Sequence, residues 1–578
     1  MTEENLNTNR RDFMALFATL GLSSTLFPGV LWAQAQEKKT NKITKEMLAA
    51  AENISGVHFT DAQREMMLEW VNNNYKLYGE LHKLYIDYSV PPALQFNPVL
   101  PGMKFNGEKR PIQFSSVTGI KRPSNLNRLA FFNIFQLSFL LRTKQLRSAE
   151  LTAMYLRRLK RFDPQLNCVV TLMEELAMEQ ATRADEEIAK GNYLGLLHGI
   201  PYGIKDLFST KKYPTTWGAP IFKDRIIDED ATVVKRLHNA GAILIAKLST
   251  GELAHADIWF GGQTKNPWDI TSGSGGSSAG PGSAVAAGLV AFAIGTETGG
   301  SIIEPAITCG VTSLRPTFGR VSRHGVMPGA WSFDKVGPMC RSVEDCSVIL
   351  DAIHGKDDKD ITLVDLPFNW NANAGAKQIR VGYLKAAFDE QHALPEEKTN
   401  DLATLKKIRD LGFDVKAVAL PDYPIHAIGM LCWYGEVGSI WNELIRSGDD
   451  KLLTRQDPDH IGNLVRMSRT VPAVDTVTAS RARTLLMQAI GKIFDEVDVY
   501  IAPFSNTDTP PVAFQNLQLT NLTGHPAVAV PNGFTIKGTP TGITFIGKLY
   551  GEADLLAVAK AYQDVTKFHL KYPKRFSE

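Results

Sequence analysis

Gly273-Ser-Gly-Gly-Ser277-Ser-Ala-Gly-Pro-Gly-Ser283, followed by Gly295-Thr-Glu-Thr-Gly-Gly-Ser301, is the passage on which the reading of this chain turns. Runs rich in glycine and serine usually form loops or linkers. Here a second run follows, with the strand-like Phe292-Ala-Ile294 between them. A third segment, His198-Gly-Ile-Pro-Tyr-Gly-Ile-Lys205-Asp206-Leu207-Phe208, adds a lysine with apolar flanks. A hydroxyl nucleophile needs a base and an oxyanion site, and the three segments contain candidates for all of these. That combination favours a site over a linker.

The chemistry can be stated from the residue types. A serine hydroxyl is a weak nucleophile, so its proton must leave as it attacks. Lysine, with an ordinary pKa of about 10.4, keeps its own proton near neutrality. Burial against Ile200, Ile204 and Leu207 would disfavour the ammonium and free the amine to act as a base. A serine between the two can donate one hydrogen bond and accept another, and so can pass a proton on. Gly299 and Gly300 permit a tight turn, so that their N–H groups, with those of Thr298 and Ser301, can converge on one oxyanion. Pro305 suits the first turn of a helix beginning beside Ser301.

Two rival motifs fail on context. A phosphate loop would need Lys-Ser/Thr after its glycines. Gly276-Ser-Ser278-Ala-Gly280 fits the Gly-x-Ser-x-Gly elbow. That elbow follows a buried strand, whereas Asn266-Pro-Trp-Asp-Ile-Thr-Ser-Gly273 is turn-like. Asp206 and Glu304 read as structural, and His198, His255, His324 and His525 show no metal-ligand spacing. Trp217, Trp259, Trp331 and Trp433 could line an apolar pocket, with core packing the plainer reading of each.

Around this centre the 578-residue chain is organised simply. Its net charge is +2, from 63 basic and 61 acidic residues, so nucleic-acid binding has no electrostatic footprint. Arg10-Arg11-Asp12-Phe13 precedes an apolar stretch, Ala15 to Trp32, that ends in Ala33-Gln34-Ala35. This pattern predicts a twin-arginine-type signal over residues 1–35, a periplasmic or secreted location, and no stable membrane insertion once the signal is cleaved. Residues 36–132 read as a linker and helical extension, with a capping box at Thr60-Asp-Ala-Gln63 and a helix running to Leu84. Pro98 to Asn127 reads as a long connection. From residue 133 to 578 helices alternate with short apolar runs. These are Ile243-Leu-Ile245, Phe292-Ala-Ile294, Ile379 to Leu384, Val497 to Ala502, Ala527 to Val530 and Ile543 to Ile546. They predict one α/β domain with a large mixed, mainly parallel sheet flanked by helices. Five scattered cysteines form no disulfide framework, although Cys340 and Cys346 could pair in an oxidising compartment.

Taken together, Gly275-Gly-Ser277-Ser278, Gly299-Gly-Ser301-Ile-Ile-Glu-Pro305 and Leu197-His-Gly-Ile-Pro-Tyr-Gly-Ile-Lys205-Asp-Leu-Phe208 resemble the amidase signature family. The resemblance runs from Leu146 to Tyr562 and includes Leu314-Arg-Pro-Thr-Phe-Gly-Arg and Leu522-Thr-Gly-His-Pro526. It implies a Ser-Ser-Lys triad: Ser301 as nucleophile, Ser277 as bridging serine held by a cis peptide bond, and Lys205 as terminal base. Thr298, Gly299 and Gly300 would form the oxyanion hole. The implied activity is hydrolysis of a small-molecule carboxylic amide through an acyl-enzyme, with no metal or organic cofactor. The sequence departs at Ile303-Glu304, where many members carry arginine and then isoleucine or glutamine, and at Ala279-Gly-Pro281, where Gly-Gly-Ser is common. Substrate identity therefore does not carry over. The ammonia-releasing A-type component of a tRNA-dependent amidotransferase, an ester or carbamate hydrolase, and a silent binding protein stay open as alternatives, as does a homodimer.

Overall fold

The computed structural model describes residues 42–81, 83, 86–88, 90–505 and 511–577. The expected signal and Leu84 lie outside the described residues. Two compact units divide between Ile86 and Asp87. The first holds α1 (Lys45–Ser55) and α2 (Asp61–Leu81). Its capping box is formed as read: Thr60 N donates to Gln63 Oε1 (2.7 Å), and Gln63 N to Thr60 Oγ1 (3.3 Å). Residues from Asp87 onward cluster with the second unit, so the compact boundary falls earlier than the expected residue 132. Among the described residues no helix is long and apolar enough to cross a membrane.

The second unit is built on an 11-stranded sheet. In chain order its strands are β1 (Val169–Leu172), β2 (Pro201–Lys205), β3 (Ile243–Leu248), β4 (Phe292–Glu297), β5 (Thr312–Arg315) and β6 (Lys335–Cys340). They continue with β7 (Val381–Leu384), β8 (Val415–Val418), β9 (Val499–Ala502), β10 (Ala527–Phe534) and β11 (Pro540–Gly547). Their order across the sheet is β1-β3-β2-β4-β6-β5-β10-β11-β9-β7-β8. Flanking helices include α3 (Ser148–Leu166), α4 (Glu174–Ala189), α5 (Ala279–Ala286) and α6 (Ile303–Cys309).

The sheet is mixed, as read, but its expected parallel majority is not found. Parallel pairing joins β2 to β3 and β4, and β7 to β8 and β9. The remaining pairs are antiparallel. The short link from Phe534 to Pro540 gives one reason: it can close a hairpin between β10 and β11, but is far too short for a crossover helix. All six apolar runs became strands. β2 and β6 were missed because β2 opens on Pro201 and ends on Lys205, while β6 opens on Lys335 and contains Gly337 and Pro338. Such residues argue against a central strand, yet both strands are wholly buried. Burial between neighbouring strands overrides local propensity here.

α3 buries Leu151, Met154, Tyr155 and Leu159 at helical spacing. α4 buries Ala177, Ala181, Ala184 and Ile188, while Leu172 belongs to β1. All five cysteines are buried free thiols. The consequence that matters most is at the sheet centre. β2 and β4 run parallel and side by side, so their carboxyl ends, Lys205 and Glu297, reach the same edge. Open α/β sheets bind ligands beyond such ends.

Candidate active site

Lys205 is the last residue of β2 and is completely buried. Its Nζ lies 2.8 Å from Ser277 Oγ, 2.9 Å from Thr296 Oγ1 and 3.4 Å from the Thr296 carbonyl. Burial pushes the amine well below the ordinary lysine value, with the negative charges of Asp334 and Glu297 opposing that shift. A neutral amine has two hydrogens and one lone pair. Both hydrogens can go to Thr296, which leaves the lone pair facing the Ser277 hydroxyl.

Ser277 stands just before α5, across a cis Gly276–Ser277 peptide bond. Glycine at 276 is a matter of space: a Cβ there would meet the Ala256 carbonyl oxygen at 1.9 Å. The next serine has a different task. Ser278 Oγ accepts from Thr296 N (3.2 Å) and donates to the Thr296 carbonyl (3.1 Å), stitching the start of α5 to β4. Ser278 is completely buried, so the elbow alternative loses its nucleophile.

Ser301 is half-buried, and its carbonyl accepts from Ser278 N at 3.0 Å. That bond holds the second glycine-rich segment against the first. Among the described residues the Ser301 hydroxyl makes no hydrogen bond, and the N–H groups of Thr298, Gly299, Gly300 and Ser301 have no acceptor. Gly299 is exposed, and a run of successive N–H groups without protein acceptors is the kind of backbone that can receive an anion. The glycine requirement sits at Gly300 alone, with φ 127°, whereas a Cβ at Gly299 would meet nothing within 4 Å.

Two carboxylates brace this loop, Glu297 completely buried and Asp334 half-buried. Asp334 accepts from Thr298 Oγ1 (2.6 Å), Gly329 N (2.7 Å) and Ala330 N (3.0 Å). Glu297 Oε2 accepts from Ile302 N (2.9 Å) and Ile303 N (3.0 Å), while Oε1 takes Arg315 (2.7 Å) and Asn521 (3.0 Å). Burial alone would raise the Glu297 carboxyl, but Arg315, Lys335 and the Ile302 N–H outweigh it and hold it below its ordinary value. Glu297→Gln would leave Arg315 buried without its counter-charge. Breaking such a pair costs about 3–5 kcal/mol, and thermal or denaturant unfolding of the variant should show a loss of that size.

Sequence reasoning named Lys205, Ser277, Ser301 and the Thr298–Gly300 turn, and the fold brings these segments together. It missed Thr296, Glu297 and Asp334. The adjacent opposite charges of Asp334-Lys335, opening an otherwise apolar run, were the available signal for a buried polar network. Asp206 is structural, as read: it pairs with Lys247 at 2.8 Å, both completely buried. A cavity of about 320 Å³ reaches Thr296 and Thr298. Trp217 and Trp331 line it, and both also pack in an apolar cluster, as the plainer reading had it; Tyr88, Leu207 and Met327 join them in the lining. Among the described residues no group of three or more His, Cys, Asp or Glu is placed to hold a metal.

The mixed sheet brings a buried lysine, two serines and a run of N–H groups without acceptors among the described residues to one edge. The Amidase family profile matches residues 150–556, and the chain belongs to that amidase signature family of enzymes acting on C–N bonds. AmiD of Mycobacterium tuberculosis, an amidase by name, is 36% identical over 476 residues, covering 75% of this chain and 94% of its own. The A-type component of the glutamyl-tRNA(Gln) amidotransferase of a Marinomonas species is 35% identical over 476 residues, covering 75% and 96%. The native peptide amidase of Stenotrophomonas maltophilia superposes with a TM-score of 0.67 at 28% identity, over 75% of this chain and 97% of that one.

Proposed function

We propose that this chain is an exported amidase that cleaves a carboxylic amide through a seryl acyl-enzyme. The observation that carries the reading is the Lys205 amine, buried and 2.8 Å from Ser277, with the N–H groups of residues 298–301 lacking acceptors among the described residues. Ser301 Oγ attacks the amide carbonyl as its proton passes to Ser277, whose own proton passes to Lys205. The carbonyl oxygen, now an anion, is met by the N–H groups of Thr298 to Ser301. Losing one such donor typically costs about 3–4 kcal/mol of transition-state stabilisation. The relay reversed protonates the leaving nitrogen, and the C–N bond breaks to release ammonia or an amine. Water then repeats the sequence on the ester and frees the acid and Ser301.

A fluorophosphonate probe tests this directly. Labelling should map to Ser301 by peptide mass, and the same preparation should turn over at least one member of a panel of aryl, aliphatic and peptide amides. An ester or carbamate turned over in preference would move the substrate class without moving the site. The amidotransferase reading draws on the second relative and would require co-purifying partners and tRNA-dependent activity. Against it stands the Arg10-Arg11 segment with its apolar run, which supports export. Periplasmic fractionation, with a mature N-terminus after Ala35, checks that part.

A further inference from the structure

The chain from Asp87 to Asn125 precedes the region shared with the family, yet it runs over the second unit on aromatic anchors. Phe96 packs edge-on against Phe318 (4.9 Å), beneath the Arg483 guanidinium (3.6 Å). Phe105 meets Tyr550 (5.3 Å) and Phe114 meets Phe135 (6.0 Å). Main-chain bonds fix it as well: Gln113 N donates to the Trp370 carbonyl (3.0 Å), Ala372 N to the Gln113 carbonyl (2.8 Å), and Ser115 N to Glu344 (2.7 Å). A segment tied at this many points has a defined course.

Its first aromatic residue is placed differently from the others. Tyr88 enters the cavity beside Thr296 and Thr298 and lines it with Asp87, Pro91 and Gln95. Its ring stands edge-on to Trp217 (5.4 Å) and Phe222 (6.3 Å), and lies 5.3 Å from Trp441. One wall of the cavity is therefore supplied by sequence outside the matched family region. The cavity is polar at its Thr296 and Thr298 end. Tyr88, Trp217, Trp331, Met327 and Leu207 give it an apolar and aromatic stretch, while Arg225, Glu229, Arg323 and Asp360 add charged side chains to its lining. Its volume is near the lower limit for small-molecule sites, which run from about 300 to 1,000 Å³. That suits a single ring on a short arm better than a long acyl chain or a polypeptide.

We propose that Tyr88 is a specificity-determining residue, through which the N-terminal strap selects amides whose acyl group carries one aromatic ring. The proposal rests on the reading of the cavity as the acyl site. An acyl ring placed there meets aromatic edges and faces, a contact that adds to simple burial of its apolar area. Acetamide has no ring to place against Tyr88, so it serves as the reference substrate.

The test compares phenylacetamide with acetamide on the full-length protein. Tyr88→Ala should lower the phenylacetamide-to-acetamide ratio of kcat/KM by about tenfold, mainly through KM. Tyr88→Phe, which keeps the ring, should hold the wild-type ratio. Because a folding defect lowers both substrates together, the ratio isolates the ring contact. An unchanged ratio in Tyr88→Ala would overturn the proposal, as would a parallel loss on both amides. If the wild-type protein fails to label at Ser301 with fluorophosphonate, the amidase reading itself falls, and this proposal falls with it.

Discussion

Lys205→Met should reduce turnover by on the order of 10²–10⁴-fold, the span that a positioned general base contributes. Methionine fills a similar volume but cannot take a proton, so the Ser277 hydroxyl loses its acceptor 2.8 Å away. In the wild-type protein kcat/KM should rise with pH as the Lys205 ammonium loses its proton. Since burial lowers that pKa well below the ordinary lysine range, the rise should be complete far below pH 10. The Met variant should lack this limb. A residual activity with an unchanged pH profile would assign the base elsewhere.

The same residue makes a stability prediction with a definite sign. Folded Lys205 gives up its proton at lower pH than the unfolded chain, so between the two pKa values the unfolded state binds the extra proton. Stability then rises with pH through that window. The cost of burying this amine is full below the folded pKa, shrinks as pH climbs, and disappears above about 10.4. Lys205→Met never carries that cost. The melting temperature of the variant relative to wild type should therefore be highest below the folded-state pKa and decline as pH is raised through that window toward 10. A relative stability that stays flat with pH would mean that the buried amine is charged at neutrality.

What could be read in advance followed the reach of each interaction. The segments carrying Lys205, Ser277 and Ser301 were legible because their chemistry demands unusual residues in short spans. Strands such as Ile243–Leu248 were legible from continuous apolar runs. β6 was not, because Lys335, Gly337 and Pro338 make sense only once Glu297 and Leu314 are beside them. The parallel majority failed for a similar reason: pairing direction depends on which distant strands meet. Asp334 and Glu297 act through contacts that no local pattern encodes, since their partners include Thr298, Arg315 and Asn521. The role of Tyr88 was equally hidden, because a lone tyrosine in a connection acquires meaning only when Trp217 and Trp441 surround it.

Ser301→Ala and Ser278→Ala, made in parallel, separate the two serine assignments most sharply. Ser301→Ala should abolish fluorophosphonate labelling and lower kcat by on the order of 10⁴–10⁶-fold, because loss of a nucleophile disables the whole relay at once. The vacant turn should still fold, since Gly300 and the Glu297 bonds to Ile302 and Ile303 are untouched. Ser278→Ala removes a stitch instead. Thr296 N, deep in the sheet, loses its only side-chain acceptor among the described residues, and such a loss costs about 1–3 kcal/mol of stability. Thr296 also holds the Lys205 amine, so some turnover should go with it, but labelling at Ser301 should persist. The reverse pattern, with Ser278→Ala unlabelled and Ser301→Ala active, would move the nucleophile into the first glycine-rich segment. It would also require a completely buried hydroxyl to leave Thr296 before each turnover, a rearrangement that hydrogen exchange at the Thr296 amide would register.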